Sequence, residues 1–210
     1  MEIMNPAEIE KASFAIISEQ LGDRQLIPEN TSVIKRVIHT TADFDYADNL
    51  VFSDTAVRLA KDALRAGAHL VTDTKMALAG ISKKALEQLG CTACCFIDTP
   101  AVVERARAEG CTRALAAVDM AAEVLADPVI FVVGNAPTAL IRLHQLVSEQ
   151  GLAPALIIAV PVGFVNVVES KEMILKLDVP HIVARGRKGG SNVAAAICNA
   201  LLYETTDRRL

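Results

Sequence analysis

Tryptophan is absent from this chain of 210 residues, and aromatic residues make up only 4% of it. Its core must therefore be built from Ala, Val, Ile and Leu, which supply most of a 52% hydrophobic content. That composition suits a sheet covered by helices on both faces. A basic excess is missing as well: 21 Lys and Arg stand against 25 Asp and Glu, a formal net charge of −4. Nonspecific nucleic-acid binding needs a basic field along the phosphate backbone and is excluded as the main function. No apolar stretch approaches the ~20 residues of a membrane-crossing helix. The start, Met1-Glu2-Ile3-Met4-Asn5-Pro6, has neither the basic residues nor the apolar region of a secretory leader, so a cytoplasmic location is expected. The five cysteines do not form a metal framework. Cys91, Cys94 and Cys95 make one C-x-x-C-C cluster with no second C-x-x-C and no nearby His to complete a zinc site. Cys94-Cys95-Phe96-Ile97 reads instead as part of a buried strand, where free Cys behaves as a small hydrophobe. Cys111 reads as a helix-flank position and Cys198 as a core position.

What is present is a pattern repeated three times in the last eighty or so residues. Apolar runs of strand length, Val129 to Val133, Ala155 to Val160 and His181 to Ala184, each stop at a Gly- or Pro-marked turn before a helix-like segment. The turns are Gly134-Asn135-Ala136-Pro137-Thr138, Pro161-Val162-Gly163-Phe164-Val165 and Arg185-Gly186-Arg187-Lys188-Gly189-Gly190-Ser191. Repeated strand–turn–helix units build a parallel sheet, and ligands of such sheets bind beyond the carboxyl ends of the strands. These turns would lie there.

Upstream, Asn5-Pro6-Ala7-Glu8 places Asn at N-cap, Pro at N1 and Glu at N3 of a helix ending near Leu21. A second helix is expected from Pro28 to His39, with Val33, Ile34, Val37 and Ile38 on its apolar face and Ser32, Lys35, Arg36 and His39 on its polar face. Residues 40–50 read as irregular. Ser53 is expected to cap a helix over 54–66, closed by Gly67. Strands follow at 68–71 and 92–97, with helices from Ser82 to Leu89, from Pro100 toward Gly110 and from Arg113 to Leu125; Asp127-Pro128 introduces the strand at 129. The result is a single α/β domain over residues 1–210. It is a three-layer α/β/α sandwich with a five-stranded, mainly parallel, flavodoxin-like sheet of order 2-1-3-4-5, plus two leading helices with no strand of their own. Those helices must cover the sheet or pair with another subunit.

The chemistry-bearing residues fall in four places. Gly189, Gly190 and Ser191 open a helix after Arg185, Arg187 and Lys188. Exposed N–H groups, helix polarity and three cations suit a carboxylate or phosphate, and the position at the ligand edge favours that over a solvated basic turn. The spacing is not the G-x-G-x-x-G of a dinucleotide site. Gly134, Asn135 and Thr138 either let a ligand approach the backbone or simply make a good strand-to-helix turn; spacing alone does not choose. The apolar turn around Gly163 fits a large organic ligand or a packed subunit contact. His69, His144 and His181 sit in or beside strands and in an amphipathic helix, which are structural settings. His39, at a helix end beside Lys35 and Arg36, is a general acid only if it lines a pocket.

Several segments together resemble the precorrin-8X methylmutase family, which includes cobalt-precorrin-8 methylmutases. They are Ser13-Phe14-Ala15-Ile16-Ile17, Arg36-Val37-Ile38-His39, Gly134-Asn135-Ala136-Pro137-Thr138-Ala139-Leu140, Pro161-Val162-Gly163-Phe164-Val165, Glu169-Ser170-Lys171 and Arg185 to Ser191. The resemblance spans nearly the whole chain. It implies an isomerase of cobalamin biosynthesis that moves a methyl group between adjacent carbons of ring C of a corrinoid, yielding hydrogenobyrinate or cobyrinate, without a cofactor. It implies His39 as the catalytic acid, with Ser13 and Arg113 lining the site. Gly134, Asn135, Thr138, Gly163, Arg185, Gly186, Gly189, Gly190 and Ser191 would lie around the substrate, and the assembly would be a homodimer. A broad, largely apolar ring with many carboxylates needs an apolar platform, here Val162, Phe164 and Val165, and anion sites, here Arg113, Arg185, Arg187 and the Ser191 helix start. Two rivals are a noncatalytic corrinoid or tetrapyrrole carrier, which would not depend on His39, and a nucleotide-binding α/β enzyme. The latter should show a Gly-rich loop after the first strand, where the chain reads Thr72-Asp73-Thr74-Lys75-Met76.

Overall fold

In the computed structural model, which describes residues 5–126 and 128–206, the chain opens as expected. Residues 1–4 and Asp127, used above for the leader reading and the strand introduction, lie outside the described residues. Helix α1 (Pro6–Leu21) carries a complete capping box: the Asn5 side chain accepts from the Glu8 N–H and the Glu8 carboxylate accepts from the Asn5 N–H. A 3-10 turn at Pro28–Asn30 precedes α2 (Thr31–Thr41), which starts later than expected and runs two residues further, so His39 lies in its last turn. Ala42 ends it in the left-handed conformation, φ 54°.

Residues 40–50 are not irregular. They contain α3 (Tyr46–Asn49) and lead into β1 (Leu50–Phe52), which pairs antiparallel with a strand far along the chain. A three-residue strand with no turn signal around it has no local signature; its partner makes it a strand. The next helix, α4 (Ala56–Arg65), begins after Thr55 rather than after a Ser53 cap. The Ser53 hydroxyl is engaged instead, accepting the N–H of His181 at 2.9 Å.

The remaining elements alternate: β2 (His69–Thr72), α5 (Lys75–Gly80), α6 (Lys83–Leu89), β3 (Thr92–Cys94), α7 (Pro100–Glu109), α8 (Arg113–Val124), β4 (Val129–Val133), α9 (Pro137–Gln150), β5 (Leu156–Ala159), α10 (Val167–Ile174), β6 (His181–Ala184) and α11 (Ser191–Thr205). The sheet runs β1-β6-β5-β4-β2-β3, parallel except for β1. Without β1, this is the expected order 2-1-3-4-5; the correction is from five strands to six. Strand β3 stops at Cys94, so Cys94 and Cys95 are half-buried at its end rather than inside a buried strand. Burial still pushes the Cys94 thiol up to about 11, which keeps it protonated and unreactive at neutral pH. Among the described residues no group of His, Cys, Asp and Glu could hold a metal ion, and no helix is long and apolar enough to cross a membrane.

Strand residues alternate between two cores, as a sheet covered on both sides requires. Leu70, Ile130, Val132, Ile158 and Ile182 face α4 and α11 on one side. Val71, Phe131, Val133, Ile157 and Val183 face α8, α9 and α10 on the other. Helix α2 packs beside α11, burying Val33, Ile34, Val37 and Ile38, and α1 packs on α2. Arg36, expected on the polar face, is also buried: its guanidinium lies over the rings of Phe14 and Tyr203, at 4.8 and 5.4 Å, and pairs with Glu10 at 2.8 Å.

Candidate active site

All three turns of the sequence pattern lie at the carboxyl edge of the sheet, following β4, β5 and β6. Strands β4 and β6 are two positions apart, so these turns span roughly 10 Å at a strand spacing of about 4.8 Å. They are stitched together by groups the sequence did not single out.

Asp73, just past β2, is buried and accepts three backbone N–H groups, from Gly134 at 2.9 Å and from Asn135 and Ala136 at 2.7 Å each. Burial pushes its carboxyl up, against the three hydrogen bonds that pull it down. The amides of the β4–α9 turn are thus already used, and what that turn can offer a ligand is the exposed Asn135 side chain. Gly134 is required by close packing: a Cβ there would lie 2.8 Å from the Cα of Ser191. Thr138 shares a hydrogen bond with Thr112, the N-cap of α8, and Ser191 shares one with Thr74.

The β6–α11 turn is held differently. Lys171, fully buried on α10, donates to the carbonyls of Gly186 and Lys188, both at 2.8 Å. Burial lowers its ammonium to about 8. Gly189 presses against the end of β5, where a Cβ would sit 2.1 Å from the Val160 carbonyl, and the Gly190 N–H donates to that carbonyl at 2.8 Å. Arg185 is taken up in a two-pronged pair with Glu172, at 2.8 and 3.1 Å. Arg187 is exposed and stacks on Phe164, 5.6 Å from its ring centre. Arg113, the first residue of α8, is exposed near Asp98, whose carboxyl is held low chiefly by Lys75 and in smaller part by the Arg113 charge. Among the described residues neither Arg113 nor Arg187 forms an ion pair. Of the four cations and turn residues expected to meet anions, these two are the unneutralised ones; Arg185 is not. Phe164 and Val165, 80% and 78% exposed, and Val162 form an apolar surface beside Gly163 at the same edge.

His39 and Ser13 meet elsewhere, across the α1–α2 contact. Both line a groove of about 400 Å³ with Ile16, Ile17, Gln20, Ile38, Ala42 and Phe44. The imidazole is exposed and lies flat against Phe14, ring centres 5.1 Å apart and 7° from parallel. Neighbouring cations are engaged away from it, Lys35 with Ser18 and Arg36 with Glu10. The Ser13 hydroxyl donates to Ile9 within its own helix. This groove is joined to the strand-end turns by Lys188, whose ammonium donates to Asp43 and Asp45 at 2.6 Å each, just past the end of α2. The Arg185 N–H adds a bond to the Asn49 carbonyl at 2.8 Å.

Comparison with known proteins identifies the family. The family model described as precorrin-8X methylmutase matches residues 8–204. The chain belongs to the precorrin-8X methylmutase family. It is 48% identical over 206 residues to the cobalt-precorrin-8 methylmutase of Salmonella typhimurium, covering 96% of each chain. It is 42% identical to that of Leptospira interrogans, covering 95% of this chain and 94% of the relative. The crystal structure of precorrin-8x methyl mutase from Thermus thermophilus superposes with a TM-score of 0.90 at 40% identity, covering 96% of this chain and 97% of that one.

Proposed function

We infer that this protein is a methylmutase of cobalamin biosynthesis, an isomerase acting on precorrin-8X or cobalt-precorrin-8 to give hydrogenobyrinate or cobyrinate. The observation that carries this is the family match over almost the entire chain, with His39 and Ser13 sharing a groove tied to the strand-end turns.

His39 is the proton donor. Protonating the conjugated macrocycle draws electrons toward it and eases migration of the methyl group between adjacent ring carbons. Because substrate and product are isomers, the proton lent must be returned. The exposed imidazole on Phe14 can approach a flat ligand without rearrangement of the helix behind it. A unimolecular shift asks for little else than a held ring and one proton. The ring rests on Phe164, Val162 and Val165, and its carboxylates meet Arg113, Arg187, the open amides of Gly186, Arg187, Lys188 and Gly189, and Asn135. Ser13 orients the substrate from α1. The protein acts as one domain, in the cytoplasm, and as a homodimer. Ile9 and Ile16 on α1 are more than half exposed, which is the uncovered apolar surface a second copy would bury.

Incubating the purified protein with precorrin-8X and, separately, with cobalt-precorrin-8 tests the function and assigns the branch. Conversion of one or both is expected. Tight binding of product without turnover of either substrate by folded protein would make it a carrier. Sedimentation at micromolar concentration should show a dimer; a monomer alone would remove the second copy from the account.

A further inference from the structure

We propose that Lys171 is a positioning residue for the rearrangement: by holding the β6–α11 turn from behind, it sets Lys188 to clamp the end of α2 that carries His39. This rests on the reading of His39 as proton donor.

Among the described residues Lys171 is the largest polar side chain that is fully buried, 0% exposed, and its partners are two carbonyls rather than a carboxylate. A buried cation without a counter-ion costs several kcal/mol relative to a well-packed apolar side chain. What it provides is direction. The two carbonyls flank Arg187, so one ammonium fixes the peptide run of residues 186–188 and turns the Arg187 and Lys188 side chains outward. Its neighbour Glu172 grips Arg185, the first residue of the same turn, so consecutive residues of α10 hold the turn by backbone and by side chain.

From there the contact chain is short. Lys188 donates to both Asp43 and Asp45. The Asp43 N–H donates to the Thr41 hydroxyl at 3.2 Å, and the Asp45 N–H donates to the Asp43 carboxylate at 3.0 Å, so the Asp43 carboxylate is itself preset and the Asp45 backbone is fixed beside it. Asp43 follows the left-handed Ala42 that ends α2, one helical turn beyond His39. A displacement of the β6–α11 turn therefore moves the loop that terminates α2. Misplacing a reacting group by about 1 Å costs up to about a hundredfold in rate.

The test uses Lys171→Met, which keeps length and removes the donors, Lys188→Met, and the double variant, with His39 ring resonances assigned by their loss in His39→Ala. In folded Lys171→Met, kcat should fall about tenfold or more. In Lys188→Met it should fall severalfold. The double variant should be no worse than Lys171→Met, because both act through one contact chain. His39 ring resonances should shift in both single variants. A lowered melting temperature with unchanged kcat and unmoved His39 resonances would show Lys171 to be structural only and overturn the proposal, as would additive effects in the double variant. Should Lys171→Met not fold, Asp43→Asn with Asp45→Asn tests the other end. It must shift the same resonances and lower kcat, and no change in either would equally overturn it. The resonances read the clamp whether or not His39 donates a proton, and turnover by His39→Ala decides that separately.

Discussion

The β4–α9 and β6–α11 turns occupy the same edge of one sheet and are each held by a buried charged side chain, but of opposite sign. Asp73 holds the first by its amides, and Lys171 holds the second by its carbonyls. A carboxylate consumes the donors an anionic ligand would use. An ammonium consumes acceptors and leaves donors free: among the described residues, the N–H groups of Gly186, Arg187, Lys188 and Gly189 donate to no protein acceptor. Two glycine-containing turns at one sheet edge thus differ in what they leave open, and the residue that decides between them lies elsewhere in the chain.

The strongest way to break this contrast is Gly189→Ala. Its Cβ would overlap the Val160 carbonyl, so a cost above about 4 kcal/mol or failure to fold is expected in urea denaturation. Normal stability would mean the turn is not pinned to β5. Asp73→Ala leaves three amides without their acceptor, that of Gly134 buried and those of Asn135 and Ala136 part-buried. At about 1–3 kcal/mol for a buried unsatisfied group and less for a part-buried one, a loss of about 2 kcal/mol or more is expected, with product affinity of the folded protein nearly unchanged. Product binding weakened as much as by loss of an arginine would make the β4–α9 turn, through Asn135, as much a ligand site as the β6–α11 turn.

Lys171 offers a pH test of the other turn. Burial lowers its pKa to about 8 from an ordinary 10.5, so between those values the unfolded chain holds more protons than the folded one. Stability of the parent relative to Lys171→Met should therefore rise with pH across that window, by on the order of 3 kcal/mol. A flat difference in paired denaturation curves at pH 7, 9 and 10 would mean the ammonium is not strained by burial.

A smaller effect is expected from the open cations. Arg187→Ala and Arg113→Ala should each weaken binding of hydrogenobyrinate or cobyrinate about tenfold, and less at high salt. Arg185→Ala should do less, since Glu172 already neutralises it, and Arg65→Ala, paired with Asp62 on the exposed face of α4, should do almost nothing. Equal losses from Arg185 and Arg187 would show that the Glu172 pair opens for substrate.

Much of this fold was legible because it is local. The Asn5–Glu8 box, the Gly110 helix stop and the three apolar runs each carry their own signal, and handedness then orders the five parallel strands. What escaped depends on partners distant in sequence. Strand β1 exists because Ala184 is opposite Leu50. Arg36 looks solvated on a helical wheel, but Tyr203 comes back to cover it. Asp73 was weighed only as part of a loop lacking glycine, and Lys171 only as part of a family motif. An acidic residue directly after a buried parallel strand was the available hint for the first. For the second, no local pattern marks a lysine as interior. The site was legible in its types of residue and not in its wiring. His39 and the glycine turns stood out, whereas Arg185 offered no sign that Glu172 would claim it.

The proposed division of labour has the carboxyl edge holding the corrinoid and His39 on α2 supplying the proton. Measuring turnover and product affinity on the same preparation of His39→Ala tests it most directly. Rearrangement should be abolished while hydrogenobyrinate or cobyrinate binds nearly as before, since protonation stabilises the transition state more than the bound ligand. Near-normal turnover by the folded His39→Ala protein would contradict it.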